Sequence, residues 1–216
     1  MISTRNLIQL PEPQTLKKIT QALAMLDAII QREWEYRYYS FNSKWSEYEE
    51  MASMRNGEGD GWYCVFSSAG VFLKGFDHES EMSPWSREDG QVWPGVLDGI
   101  PAVFQPCATE PAFSMGDTTC CIWRENSESH WHSGNISFPD GDDPDGSAWM
   151  LLILDGNPLT YKEWAEEYYE RAIDADAIKQ IYEGTPLTPA LVGALNPEVE
   201  FETMRSDARE IGYPVG

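Results

Sequence analysis

The chain has 216 residues, 42% of them hydrophobic, so it can fold around a sizeable core. Its 15 basic and 36 acidic residues leave a net charge of −21, which repels phosphate backbones and anionic membranes and attracts cationic partners. Without a secretory signal or an apolar run of roughly 18–20 residues, the sequence predicts a cytoplasmic protein that binds neither nucleic acid nor membranes.

The first predicted element is a helix over about 13–33. Leu16, Ile19, Leu23, Leu26 and Ile30 recur at steps of three and four residues, which places them on one helical stripe. Asp27 falls largely on the opposite, polar side of this helix.

A strand and a short helix are predicted next. Tyr36, Tyr38 and Phe41 alternate with polar neighbours, as in a half-buried strand. The stretch from Trp45 to Met54 carries apolar residues at helical spacing before Asn56-Gly57, a common helix-terminating pair, so it is predicted as a short helix.

Residues 61–76 carry the clearest β pattern in the chain. Two runs of strand-forming residues flank Ser67-Ser68-Ala69-Gly70, which predicts a hairpin with a short loop. A polar, irregular stretch follows over 77–93. Apolar residues between Trp93 and Phe104 then predict a kinked helix, or a helix that starts near Pro101, with Pro106 ending it.

The second half is predicted to contain strands followed by helices. Thr118–Arg124 is predicted to be a strand, with 129–132 as its antiparallel partner. The stretch 138–146 is predicted to be an acidic loop. Trp149–Leu154 is predicted to be a central strand that is buried on both faces. Thr160 and Glu163 match a helix capping box. Shorter helices are predicted at about 175–183, 187–195 and 203–211. Because hairpins outnumber crossovers, we expect an α+β fold: one domain over 1–216 with a largely antiparallel sheet and helices packed against it.

The four cysteines are Cys64, Cys107, Cys120 and Cys121. They are too sparse for a disulfide scaffold and contain no C-x-x-C pair, so we expect them to be reduced and structural.

The stretch Asp77-His78-Glu79 is the first candidate for chemistry. It follows the second hairpin strand, and flanking carboxylates would raise the pKa of His78 and orient its ring. These three residues are the predicted catalytic group if the protein is a hydrolase or a metal-dependent enzyme. The alternative is an ordinary polar loop with His78 bonded to a backbone carbonyl.

His130 and His132 are the candidate metal ligands. At a spacing of two on a strand, both rings would lie on one face, although zinc would need further ligands from elsewhere. A solvated strand face is the alternative.

Known motifs provide little support for a cofactor. In the acidic loop 140–146, an EF-hand register that sets Gly146 at position six puts Gly141 and Leu152 where Asp and Glu are required. The chain also lacks a phosphate-binding glycine loop, a G-x-S-x-G elbow and an H-E-x-x-H helix. We therefore expect no cofactor.

Three functions remain open. The first is an acidic binding protein that engages a basic protein partner, immunity- or inhibitor-like by analogy of charge alone. Its predicted surface residues are Asp142, Asp143, Asp145, Glu163, Glu166, Glu167 and Glu170. The second is the hydrolase or metal-dependent enzyme that uses Asp77, His78 and Glu79. The third is carbohydrate or small-ligand binding through exposed tryptophans, of which the chain has nine.

Overall fold

A computed structural model describes all 216 residues. Six strands form one antiparallel sheet in the sequential order β1 to β6, and seven α-helices pack around it. The strands are β1 (Tyr39–Asn42), β2 (Glu49–Arg55), β3 (Gly61–Ser67), β4 (Gly70–Phe76), β5 (Cys120–Glu125) and β6 (His132–Ser133). The predicted α+β fold is confirmed.

One helix precedes the strands, one lies between β4 and β5, and five follow β6. They are α1 (Pro13–Ile30), α2 (Gln105–Ala108), α3 (Ser147–Leu151), α4 (Pro158–Tyr168), α5 (Ala175–Tyr182), α6 (Pro189–Leu195) and α7 (Phe201–Ile211). The observed bounds of α1 and of the last three helices agree with the predicted ranges to within about three residues. The start of α4 was wrong in detail, because Asn157 is its cap and accepts from the Leu159 amide, while Thr160 donates to Asp155.

The chain divides into two compact units. One comprises 1–10 and 53–152 and contains β3 to β6; the other comprises 11–52 and 153–216 and contains α1, β1 and α4 to α7. A single domain over 1–216 stays a prediction.

The hairpin of β3 and β4 is the best predicted part of the sheet. Gly61 pairs with Phe76, and the register continues to Phe66 opposite Val71. Gly70 adopts a φ of 148°. A Cβ there would overlap the Arg124 carbonyl oxygen on β5, so the close approach of that strand requires glycine.

The predicted helix over 45–54 was wrong, because this stretch contains strand β2. The buried side chains there are Ala52 and Met54, which follow a period of two. Tyr48, which helped to suggest a helical stripe, is 75% exposed.

The predicted central strand over Trp149–Leu154 was also wrong, because the stretch is helix α3 followed by a 3₁₀ turn to Asp155. Acidic side chains before α3 satisfy the free amides at its start. Asp143 accepts from the Ala148 and Trp149 amides, and Asp145 accepts from the Ser147 amide.

No helix forms over 93–100, so the predicted kinked helix is wrong, whereas the alternative, a helix that starts near Pro101, is close to the observed structure. Gly95 and Gly99 adopt φ values of 91° and 79°, which a helix does not allow. A 3₁₀ turn covers 102–104 and leads into α2. Pro106 lies in the first turn of α2 rather than ending a helix, because its missing N–H is tolerated there.

Asp27 is a buried polar residue in the core of the second unit. The prediction that it lies on the polar side of α1 was wrong. Its fully buried carboxylate accepts hydrogen bonds from the Tyr38 and Tyr39 amides and from the Tyr161 and Tyr169 hydroxyls, at 2.8–3.0 Å. Burial raises the pKa of Asp27 from 3.8 to about 6, and the four hydrogen bonds oppose this shift.

We expect the Asp27→Asn substitution to remove a specific pH dependence of stability. Because the folded pKa of Asp27 lies above its ordinary value, its contribution is complete below about pH 4 and is lost as pH rises through about 6. The whole change is about 3 kcal/mol, and about half of it falls between pH 5 and pH 8. Urea unfolding of both proteins should show their stability difference falling with pH; a constant or rising difference would contradict this assignment.

Candidate functional site

The turn after β4 is organised by the carboxylate of Asp77. Its Oδ1 accepts from the backbone amides of Glu79 (3.0 Å) and Ser80 (3.2 Å). Its Oδ2 accepts from the indole N–H of Trp149 at 2.8 Å. Asp77 therefore fixes both the local backbone and the orientation of a tryptophan ring that is 41% exposed.

His78 is paired with Asp60, a buried residue that immediately precedes β3. Asp60 Oδ1 lies 2.7 Å from the His78 amide nitrogen and 2.6 Å from its ring Nδ1. This hydrogen bond holds the pKa of His78 above its ordinary value, and the charges of Asp60, Glu79 and Asp77 add to the effect, while partial burial opposes it. The predicted carboxylate influence on His78 thus comes first from Asp60, which the sequence reasoning missed.

Asp60, Asp77 and His78 also form a group of potential metal ligands, with ligand atoms within 4.8 Å of one another. Their ligand atoms already have partners within the chain. Besides His78, Asp60 accepts from the Asn56 side-chain amide at 2.6 Å, and Asp77 accepts the three bonds described above. A cation would have to compete with these donors, so the arrangement favours a fixed hydrogen-bonded cluster over a metal centre.

An acidic cleft of about 560 Å³ adjoins this cluster. Thirteen residues line it, and none of them is lysine or arginine. Eight are acidic: Glu58, Asp60, Asp77, Glu79, Glu81, Asp140, Asp142 and Asp143. Trp149 completes one wall, so a cationic group in the cleft would meet carboxylates and an indole ring.

Internal hydrogen bonds hold the two loops of the cleft in place. Ser80 donates its hydroxyl to the Pro144 carbonyl at 2.6 Å, and the Met82 amide donates to the same oxygen at 3.3 Å. The Arg5 guanidinium donates to the Gly141 carbonyl at 2.8 Å and lies over the Phe138 ring. Because Arg5 binds the loop through its backbone, it does not neutralise the carboxylate of Asp142.

The predicted partner-binding residues of the acidic loop have three different environments. Asp142 is exposed, and Asp143 is half-buried at the start of α3. Asp145 is only 1% exposed, because its carboxylate accepts from Thr4 and Ser147 inside the unit. Its prediction as a surface contact residue was therefore wrong.

The predicted glutamates on α4 and just beyond it lie in the other unit. Glu163, Glu167 and Glu170 are exposed. Glu166 is paired with Lys162 at 2.6 Å and accepts from the Ile173 amide, and both contacts lower the pKa of Glu166. This surface thus offers three exposed carboxylates, two on α4 and one just after it.

His130 and His132 do not share a strand, because β6 begins at His132. His130 Nδ1 lies 2.8 Å from the Ser129 hydroxyl, and His132 Nε2 lies 3.1 Å from a Glu128 carboxylate oxygen. Neither belongs to a group of three potential ligands, and His78 has Asp60 as its own partner. Their role as metal ligands stays a prediction.

The exposed tryptophans do not form one aromatic platform. Trp149 lines the acidic cleft, whereas Trp85, which is 62% exposed, lines a different cavity. Trp34, 56% exposed, belongs to the other unit. Trp85 and Trp149 therefore do not line one groove, and carbohydrate binding stays a prediction.

No family model, curated protein or solved structure matches this chain. None of its helices combines the length and apolarity required to span a bilayer. All four cysteines are buried and none forms a disulfide, in agreement with the prediction. Function must therefore be inferred from the side chains themselves.

We expect the Asp60→Asn substitution to lower the pKa of His78 toward its ordinary value of 6.5, because it removes the carboxylate that stabilises the imidazolium. The imidazole signals of the three histidines, followed by NMR against pH, measure this change. Glu128→Gln is the matched control, since Glu128 pairs with His132 and should leave the titration of His78 unaltered. A His78 pKa that is equal in wild type and Asp60→Asn would contradict the pairing.

Proposed function

We propose that this protein binds a basic segment of a partner protein in the acidic cleft. The observation that carries the proposal is the lining of the cleft, which has eight carboxylate side chains and no lysine or arginine. Eight like charges around one cavity repel one another, and a cationic ligand relieves that repulsion. An immunity- or inhibitor-like protein that covers a basic toxin or enzyme would act in this way, a likeness of charge alone.

Trp149, which also lines the cleft, supports the proposal. A lysine or arginine side chain that lies over an indole face gains attraction from the ring. The indole N–H is already bonded to Asp77, so the ring is held in one orientation before a ligand arrives. A fixed ring loses less conformational entropy on binding, which favours affinity.

The whole-chain charge favours the same class of partner. A net charge of −21 attracts a basic protein over several ångströms and speeds its association at low salt. We keep the cytoplasmic location within this proposal, because free cysteines are typical of a reducing compartment.

Neutralising two acids of the cleft tests the proposal. We expect Glu79→Gln combined with Asp142→Asn to weaken the binding of a short polylysine peptide about tenfold, or about 1.4 kcal/mol, at low salt. The matched control is Glu163→Gln with Glu167→Gln on α4, which removes the same charge and should change the affinity less than about twofold. Isothermal titration calorimetry measures both, and wild-type binding should weaken as salt rises.

Two outcomes would contradict the cleft as the binding site. Equal weakening in both double variants would mean that only net charge matters. Stronger weakening in the α4 variant would place the contact on Glu163 and Glu167. Binding that salt does not affect would argue against the whole proposal.

A second candidate is a hydrolase, and one observation favours it: His78 Nδ1 lies 2.6 Å from Asp60 Oδ1. A carboxylate on Nδ1 fixes the tautomer and leaves Nε2 to accept a proton from water. In this candidate His78 is the general base, and Asp60 replaces the predicted Asp77 and Glu79 as its direct partner.

A neutral activated ester, p-nitrophenyl acetate, tests the hydrolase. If His78 is the base, His78→Gln should lower the hydrolysis rate about 100-fold, and His132→Gln should leave it unchanged. Equal rates in wild type and His78→Gln would remove this candidate.

A further inference from the structure

A lysine lies in the interior of the sheet, outside the cluster of His78. Lys74 is on β4, between β3 and β5, where it pairs with Tyr63 on one side and Cys121 on the other. It is only 4% exposed, in a strand whose seven residues are all buried. Such a position normally carries an apolar side chain, because burying an ammonium without a partner is costly.

The amine of Lys74 has no carboxylate partner. It makes no hydrogen bond or ion pair. Its cation–π contacts are with two rings, and the distance from Nζ to the ring centroid is 5.6 Å for Phe76 and 6.0 Å for Tyr63. Burial lowers the pKa of Lys74 to about 8, although nearby Cys120, Asp117 and Cys121 oppose the shift. At pH 7 about a tenth of such amines are neutral and nucleophilic, compared with well under a thousandth for an ordinary lysine.

Lys74 lines a cavity of about 360 Å³ that has aromatic walls. Tyr63, Phe76, Trp85 and Phe113 line it as well, and the rings of Tyr63 and Phe113 stack with centroids 4.9 Å apart. The cavity is large enough for one small aromatic molecule. The charged side chains at its surface, Asp60 and Asp117 against Arg55 and Lys74, balance one another, which favours an uncharged ligand.

We propose that this pocket, which we call the Lys74 pocket, binds an uncharged aromatic aldehyde and that Lys74 forms an imine with it. The nitrogen lone pair forms a bond to the carbonyl carbon, and the carbonyl π electrons move to oxygen. The oxygen takes a proton and the nitrogen loses one, which gives a carbinolamine. The hydroxyl then takes a proton and leaves as water, the nitrogen lone pair forms the C=N bond, and the nitrogen loses its remaining proton, so aldehyde and amine give imine and water without another reactant. Asp117, at the pocket surface, and solvent water carry the protons.

The experiment traps the imine on the full-length native protein. Benzaldehyde is the probe, sodium borohydride reduces the imine to a stable amine, and peptide mass spectrometry locates the adduct. We expect labelling of Lys74 at least about tenfold above that of the exposed Lys44 and Lys179, with an extent that rises through a midpoint near pH 8. Lys74→Met and Lys74→Arg should both remove this adduct and leave the labelling of Lys44 unchanged.

Two further measurements separate pocket binding from simple amine reactivity. Trp85→Ala removes one wall at an exposed position and should lower Lys74 labelling several-fold, while Lys44 labelling stays constant. Glyoxylate, an anionic aldehyde without a ring, should label Lys74 less than benzaldehyde does. Labelling spread evenly over the lysines would overturn the proposal. Equal labelling of Lys74 by glyoxylate and by benzaldehyde would also overturn it. So would benzoate binding that persists in Lys74→Arg, because it would indicate that the pocket binds anions. None of these results depends on the acidic cleft or on a basic partner.

Discussion

The pairing of β3 with β4 is the constraint on which both candidate sites depend. With Gly61 opposite Phe76, the chain places Asp60 beside the Asp77-His78 turn at one end of the hairpin and Lys74 beside Tyr63 within it. A slip of one residue would move every side chain of a strand to the other face of the sheet. It would bring Lys74 to the face where Trp62 donates its indole N–H to the Met150 carbonyl of α3. The register, fixed by burial on both faces, is therefore also what positions the functional groups.

The carboxylates around the cleft have two distinct roles, although sequence composition treats them alike. Asp60, Asp77 and Asp143 accept hydrogen bonds from amides and from an indole, so they shape the loops and begin α3. Glu79, Glu81 and Asp142 line the cleft without such bonds to their carboxylates. The first group makes the cleft rigid, and the second leaves its charge for a ligand. Part of the excess negative charge thus serves folding, and the remainder is what the proposed basic partner would meet.

Sequence patterns predicted the elements whose periodicity runs over many residues, such as α1 and the hairpin. They failed in short segments: β2 has few apolar residues, and α3 belongs to a continuous apolar run whose pattern does not distinguish helix from strand. The start of α3 also depends on Asp143 and Asp145, which composition alone assigned to the surface. The proximity of Asp60 to Asp77 followed from the predicted hairpin, because the residues just outside a paired end face each other. This proximity was missed because Asp60 and Asp77 lie at opposite ends of the hairpin sequence. Lys74 was equally visible as a lone charge in an apolar strand.

The carboxylate whose charge acts on Lys74 is that of Asp117. Asp60, in contrast, lines both the acidic cleft and the Lys74 pocket. Its two oxygens are already engaged, Oδ1 by the amide and ring of His78 and Oδ2 by Asn56. These donors hold the Asp60 carboxylate at the turn that follows β4. The bond between Asp60 and His78 therefore fixes a negative charge beside the cleft, while the Lys74 amine lies in its pocket without a carboxylate bonded to it.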